Sequence, residues 1–297
     1  MRKPFAFIVA TLVVLASPVL ATFHEMQIEQ VIGGVDGDPT AQAIQLRMRF
    51  AFQNQVQNGK LVVVDATGTN PITLFQPASS VSNASAGDRV LIVSSNFVNN
   101  TSPAAVPDFY LTNLIPASYL AAGRLTWQDL FGTIYWSVSW GGTNYTGPNT
   151  GNVLNDSDGN FGPPLPGPLP STSTSALLFT NAAGALSLSN IVDYVVTPGA
   201  ATFTNNARAG FGVVSPPPLI TAITRESDSI RVTWTTITGK TNVVQVTGGD
   251  ANGNYTNNFL DLSQPIIVLG SGHVGTNYLD VGGATNAPAR YYRVRVP

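Results

Sequence analysis

Two carboxylates and two amides crowd one short segment, Asn155-Asp156-Ser157-Asp158-Gly159-Asn160. Alternate oxygen-bearing side chains on a tight turn are what a calcium ion draws on, because a hard cation collects its ligands from carboxylates, carbonyls and water. Asp156, Asp158 and Asn160 are therefore the candidate metal ligands; no cofactor is expected, Ca2+ being the one alternative the sequence offers. The spacing is incomplete: with Gly159 as the loop glycine, the first ligand position falls on Leu154, and no acidic residue closes the loop downstream. That favours an ordinary solvated turn. Asp250-Ala251-Asn252-Gly253-Asn254 is weaker still, since Asn-Gly marks a hairpin turn.

Imidazole chemistry has little to work with, because the chain holds two histidines, His24 and His273. A copper site at an exported N-terminus would need His24 first in the mature chain and a second histidine in the same domain, and neither condition is expected to hold. Asp108 and Asp129 are carboxylates of the type a glycosidase pairs across a glycosidic bond, although acids on strands and turns are ordinarily surface groups. Aromatic residues offer a third chemistry. In residues 133–140, Ile134, Trp136, Val138 and Trp140 face one way and Thr133, Tyr135, Ser137 and Ser139 the other. The two indoles would lie about 13 Å apart, a spacing that suits stacking on a polysaccharide. The aliphatic residues sharing their face point instead to the core. Tyr135 on the other face, with Asn144 and Tyr145 in the following Gly141-Gly142-Thr143-Asn144-Tyr145 loop, are the candidate ligand-binding residues, Tyr145 being expected to be exposed.

The elements that must position these groups read as strands. Twenty-eight glycines, 21 prolines and only 10% charged residues favour strands joined by many turns over long amphipathic helices. Residues 44–50 alternate apolar and polar without a break, the pattern of a strand with one buried and one wet face. Met26–Ile32, Ile72–Phe75 and residues 61–64, 90–94, 176–179 and 191–196 are further strands. Arg47 with Arg49, and Arg293 with Arg295, form basic stripes expected on wet faces that discourage edge pairing. With no cysteine, the fold must rest on packing and β-ladders.

The first 21 residues read as a secretory signal peptide. Arg2 and Lys3 precede an apolar run from Phe5 to Ala16, about a dozen residues, within the roughly 7–15 of a signal core and short of the roughly 18–20 that span a bilayer. Val19 and Ala21 are the small residues a signal peptidase reads, so the mature chain is expected to begin at Thr22 without a membrane span. Losing Arg2 and Lys3 takes the formal charge from −2 to −4, which argues against nucleic acid as a partner. Ser215-Pro216-Pro217-Pro218 is a stiff spacer between residues 22–214 and 219–297. A Pro/Ser/Thr-rich stretch, residues 162–175, reads as a long surface loop inside the first region.

The last segment carries Arg231-Val232-Thr233-Trp234, Gly239-Lys240-Thr241-Asn242-Val243-Val244-Gln245-Val246, Asn258-Phe259-Leu260-Asp261-Leu262, Asn277-Tyr278-Leu279-Asp280 and Arg290-Tyr291-Tyr292-Arg293-Val294-Arg295-Val296. This order resembles the fibronectin type III-like C-terminal module of large secreted bacterial proteins. The resemblance implies a small Ig-like sandwich with Trp234 in its core and the Tyr-Arg-Val-Arg strand crossing the centre of a sheet. The usual last strand has no counterpart before Pro297. Gln27-Ile28-Glu29-Gln30-Val31-Ile32-Gly33-Gly34, Ala43-Ile44-Gln45-Leu46 and Ile191-Val192-Asp193-Tyr194-Val195 resemble a lamin-tail-like domain, another Ig-like sandwich, with Gln45 where that family usually has an acid. Neither family is defined by a catalytic set.

The expectation is an all-β protein: two antiparallel Ig-like β-sandwich domains after a cleaved signal peptide, secreted or held at the cell surface or in the periplasm. It is read as a non-enzymatic adhesion, structural or binding component whose partner is an extracellular polymer or protein. The alternative is carbohydrate binding or glycan hydrolysis. Intact-mass measurement of the exported protein is expected to give a chain starting at Thr22; a mass that retains the first 21 residues rejects the cleavage.

Overall fold

Alternation of apolar and polar residues does produce strands, but it does not leave a wet face. A computed structural model describes residues 22–269, 272–285 and 288–297, so residues 1–21, read from sequence as a signal peptide, lie outside the described residues. The first thirteen strands are β1 (Met26–Ile32), β2 (Ala43–Met48), β3 (Gly59–Val64), β4 (Ile72–Phe75), β5 (Arg89–Val93), β6 (Thr101–Ser102), β7 (Phe109–Tyr110), β8 (Gly123–Asp129), β9 (Ile134–Trp140), β10 (Leu177–Phe179), β11 (Tyr194–Val196), β12 (Thr202–Thr204) and β13 (Gly210–Val213). They form a six-stranded sheet β11-β10-β1-β2-β5-β7, a four-stranded sheet β4-β3-β8-β9 and a three-stranded sheet β12-β13-β6. All pairings are antiparallel except β5 with β7. The chain is all-β.

The six-stranded sheet is the middle layer. One face packs on the four-stranded sheet through Ile28, Leu46, Val90 and Ile92 against Leu125, Trp127, Trp136 and Val138. A second cluster joins Ile32, Ala43, Leu91 and Val93 to Phe203, Phe211 and Val213 of the three-stranded sheet. Every residue of β1 and β2 is consequently buried. Sequence had assigned the Gln45, Arg47 and Arg49 face to water; the structure corrects this, because residues 153–155, 181–185 and 204 close over it. Arg49 donates to the carbonyls of Leu154, Gly184 and Ala185 and, at 2.5 Å, to Asn155 Oδ1. Gln27 Nε2 donates to the carbonyls of Ala183 and Ala185. Arg293 and Arg295, by contrast, are exposed as expected.

The polar face centres on Glu29. The pairing of β1 with β2 shifts register between Ile28 and Gln30, a bulge that adds Glu29 as an extra residue and lets both Ile28 and Val31 reach the same core. Arg47 and Arg89 are directly opposed across β2 and β5, an arrangement of like charges that is destabilising by itself. Glu29 resolves it: its carboxylate lies 2.8 Å from Arg47 and 2.6 Å from Arg89, and accepts from Gln45 Nε2 at 2.7 Å. Burial pulls the Arg47 guanidinium below its ordinary range, and Glu29 opposes that pull.

Residues 191–196, expected as a strand, divide into the single helical turn α1 (Asn190–Asp193) and β11. The cause is Asp193, whose Oδ2 accepts from the backbone of Leu188 and Ser189 and from Ser187 Oγ, winding the chain back on itself. Residues 162–175 run largely over the surface, but Leu169 enters the main core and Pro170 accepts from Gly33 N–H.

Seven further strands follow the prolines: β14 (Leu219–Glu226), β15 (Ser229–Ile237), β16 (Thr241–Gly249), β17 (Leu260–Asp261), β18 (Ile266–Ile267), β19 (His273–Asp280) and β20 (Ala289–Arg295). β14-β15-β19 form one sheet; β16 pairs with β17, β18 and β20 in another. Val232, Trp234 and Val244 are buried between them. β20 pairs with β16 alone among the described residues, so the Tyr-Arg-Val-Arg strand is an edge rather than the sheet centre that the family resemblance implied. Among the described residues no helix is long and apolar enough to cross a membrane.

Removing one partner of a buried ion pair strands the rest, at about 3–5 kcal/mol. Glu29→Gln leaves Arg47 and Arg89 opposed and is expected to lower unfolding free energy by about 3 kcal/mol in urea titration; a loss below about 1 kcal/mol, the scale of a surface pair, contradicts the central role given to Glu29.

Candidate functional site

A hollow opens where β9 ends. Gly141 and Gly142 have φ of +101° and +54°, the left-handed region, and turn the chain out of the strand into a single helical turn over Gly142–Asn144. A Cβ on Gly141 would come within 2.4 Å of the Ala122 side chain, so backbone approach as well as φ demands glycine there. The proline-rich stretch lies alongside: Leu165 N–H donates to Ser139 O at 3.0 Å, and Gly141 and Gly142 N–H donate to the carbonyls of Gly167 and Leu165. Between the two segments is a hollow of about 580 Å³, walled on one side by residues 141–145 and on the other by Pro163, Pro164 and Pro166. Proline rings fix φ along one wall, and the permissive glycine turn of the other is tied to it by the hydrogen bonds of Gly141 and Gly142.

Of the three predicted ligand-binding residues, the structure brings two together. Asn144 is exposed at the rim beside Thr143. Tyr145 lines the hollow but is only 5% exposed, and its hydroxyl donates to Pro148 O at 3.0 Å. The expectation of an exposed Tyr145 is therefore corrected: the ring is a wall held from behind. Burial pushes its phenol pKa up, and the neighbouring Arg124 guanidinium works in the other direction. Tyr135 belongs elsewhere, at the start of β9, with its ring 4.6 Å from that of His24 and 5.9 Å from that of Phe23. Trp136 and Trp140 are fully buried. Trp136 Nε1 donates to the Tyr194 hydroxyl at 2.7 Å, which donates in turn to Ile28 O, while Trp140 Nε1 donates to Tyr119 O. Neither indole can stack on a glycan.

The candidate metal ligands are less solvated than a surface turn would be. Asp156 is 1% exposed, whereas Asp158 and Asn160 are exposed. Asp156 Oδ1 accepts from Asp158 and Asn160 N–H, both at 3.0 Å, and Asp158 Oδ1 accepts from Asn160 N–H at 2.8 Å. Burial, foremost, raises the Asp156 pKa. The solvated-turn reading is thus corrected for Asp156, which is buried where the chain bridges to Ser187.

Asp108 and Asp129 serve the backbone. Asp108 accepts from Leu91 and Asn206 N–H, and burial raises its pKa. Asp129 Oδ1 accepts from Phe131 and Thr133 N–H in the β8–β9 turn. His273 lies exposed on β19. Among the described residues no three His, Cys, Asp or Glu side chains gather as a metal-binding group. Sequence reasoning missed the prolines as one wall of the hollow, although a proline run following a Gly-Gly turn was a visible signal.

Comparison with protein-family models, with curated proteins and with solved structures gives no match. The site must be judged on its own chemistry.

All four tryptophans, Trp127, Trp136, Trp140 and Trp234, are fully buried. Emission of the folded protein is expected to be blue-shifted and resistant to iodide quenching, moving to the red with full quenching in denaturant. Strong quenching in buffer contradicts the placement of the indoles.

Proposed function

We propose that this is an exported, non-enzymatic protein of two β-sandwich modules that binds an extracellular polymer or protein through the hollow beside β9. The observation that carries the reading is the make-up of that hollow: a proline wall, a glycine turn hydrogen-bonded to it, exposed hydrogen-bonding groups on Thr143 and Asn144, and no carboxylate in the lining. Walls tied together in this way lower the ordering cost of binding, and amide and hydroxyl groups at the rim suit a neutral, hydroxyl-rich or peptide-like ligand. Hydrolysis of a glycan calls for two acids roughly 5–10 Å apart about the bond to be broken, and the hollow supplies neither.

The strand order after the prolines, β14-β15-β19 in one sheet and β16 between β17/β18 and β20 in the other, supports an Ig-like, fibronectin type III-like reading of residues 219–297. The likeness of residues 22–214 to a lamin-tail domain rests on the segments that form β1 and β2 and on residues 191–195, which divide between α1 and β11. In this reading the second module holds the first away from its attachment, with residues 215–218 as the spacer.

The test is co-sedimentation of the exported protein with insoluble polysaccharides and cell-wall material. Retention is expected to fall about tenfold in Asn144→Ala combined with Thr143→Ala, a loss of about 1.4 kcal/mol. Both side chains are exposed, so the fold is preserved. Retention that persists unchanged in the double variant removes the hollow as the binding site.

A further inference from the structure

We propose that residues 155–160 form a calcium site, with the carboxylates of Asp156 and Asp158 and the amide oxygen of Asn160 as its side-chain ligands. The reading is independent of what the hollow beside β9 binds.

The first observation is spacing: Asp156, Asp158 and Asn160 occupy alternate positions, with Gly159 at φ +77° folding the segment tightly between them. Register starts at Asp156, not at the Leu154 position obtained by treating Gly159 as the loop glycine. The second observation points to a ligand in its own right. Asp156 is 1% exposed, and its Oδ2 is buried without any hydrogen-bond partner. Its Oδ1 is turned inward by the amides of Asp158 and Asn160. The remaining oxygen of that carboxylate has no hydrogen bond of ordinary geometry, and the Ser187 and Asp158 side chains lie beside it. A buried carboxylate oxygen left this way is costly; a proton, a water or a cation removes the cost, and the alternate oxygens of Asp158 and Asn160 favour the cation.

The surroundings fit a hard ion reached from solvent. Asp158 and Asn160 are exposed and keep side-chain oxygens available, Asp158 Oδ2 and Asn160 Oδ1 among them; Asn160 Oδ1 accepts a 3.2 Å hydrogen bond from Gly162 N–H, leaving a second lone pair. Two carboxylates and an amide oxygen form a small charge set, so waters and backbone carbonyls must complete the coordination. Such a shell suits the larger, geometrically tolerant Ca2+ better than Mg2+, and places affinity in the weak range of extracellular modules.

The ion would also act on the fold. Asp156 bridges to Ser187, and Ser157 N–H donates to Ser187 O. Asn155 ties the same loop to His24 O, Tyr135 O and Arg49. Calcium would therefore clamp the segments that cover the polar face of the middle sheet.

Calorimetric titration of the exported protein with CaCl2 at neutral pH is expected to show one ion per chain with Kd about 0.1–1 mM, and weaker binding of MgCl2. At tenfold excess over Kd the thermal midpoint should rise by about 2–4 °C relative to EGTA. Asp158→Asn retains an acceptor for Asn160 N–H; it is expected to melt with wild type in EGTA and to lose the calcium response. Absence of both heat and midpoint shift in the wild type overturns the site, as does a calcium response that survives intact in Asp158→Asn.

Discussion

A single carboxylate makes the central sheet possible. Arg47 and Arg89 face one another on neighbouring strands, and Glu29 lies against both at 2.8 and 2.6 Å. Without an anion between them, two opposed cations would keep that face open to water. With it, residues 181–185 and 204 can close over the sheet, Thr204 N–H donating to Gln45 Oε1 and Asn181 O accepting from Arg47. The β1 bulge is what delivers Glu29 to this position while both flanking apolar residues stay in the core. Two apolar clusters bind the outer layers to the middle sheet, and that neutralisation lets the polar part of its face be buried with them.

The hollow beside β9 depends on the same layer at one remove. β9 is held against the middle sheet by Trp136, whose hydrogen bond to Tyr194 continues to Ile28 O on β1. The strand end is therefore fixed, and Gly141 and Gly142 depart from it in a determined direction. The proline stretch is fixed against the other side of that end by backbone hydrogen bonds and by Leu169 in the core. A hollow built in this way is formed before any ligand arrives, which is what the proposed binding role requires.

Several elements were legible residue by residue. Met26–Ile32 and Ile72–Phe75 have the same limits in the sequence pattern and in the structure, and Trp136 and Val138 face the core as their shared periodicity implies. Residues 191–196 were not legible, because the side chain of Asp193 competes with the ladder and winds four residues into a turn. Tyr145 looked like an exposed loop aromatic; the turn at Gly141 and Gly142 instead carries it inward to Pro148 O. Asp156 sits in a segment with every mark of a solvated turn, and is buried by Ser187, thirty-one positions along the chain.

The sequence by itself determined the all-β class and strands such as β1, β4 and β9, since a period of two and the conformational limits of glycine and proline act over a few residues; β8, β12 and β13 emerged only in the fold. It also determined that the fold carries no disulfide, there being no cysteine. Only the tertiary structure decided which polar faces meet water. Gln27, Gln45, Arg47 and Arg49 alternate with apolar neighbours as a wet face would, and the same pattern serves a buried one once distant segments supply a hydrogen-bond partner for each group. That supply comes from residues more than a hundred positions away, beyond the reach of any local pattern.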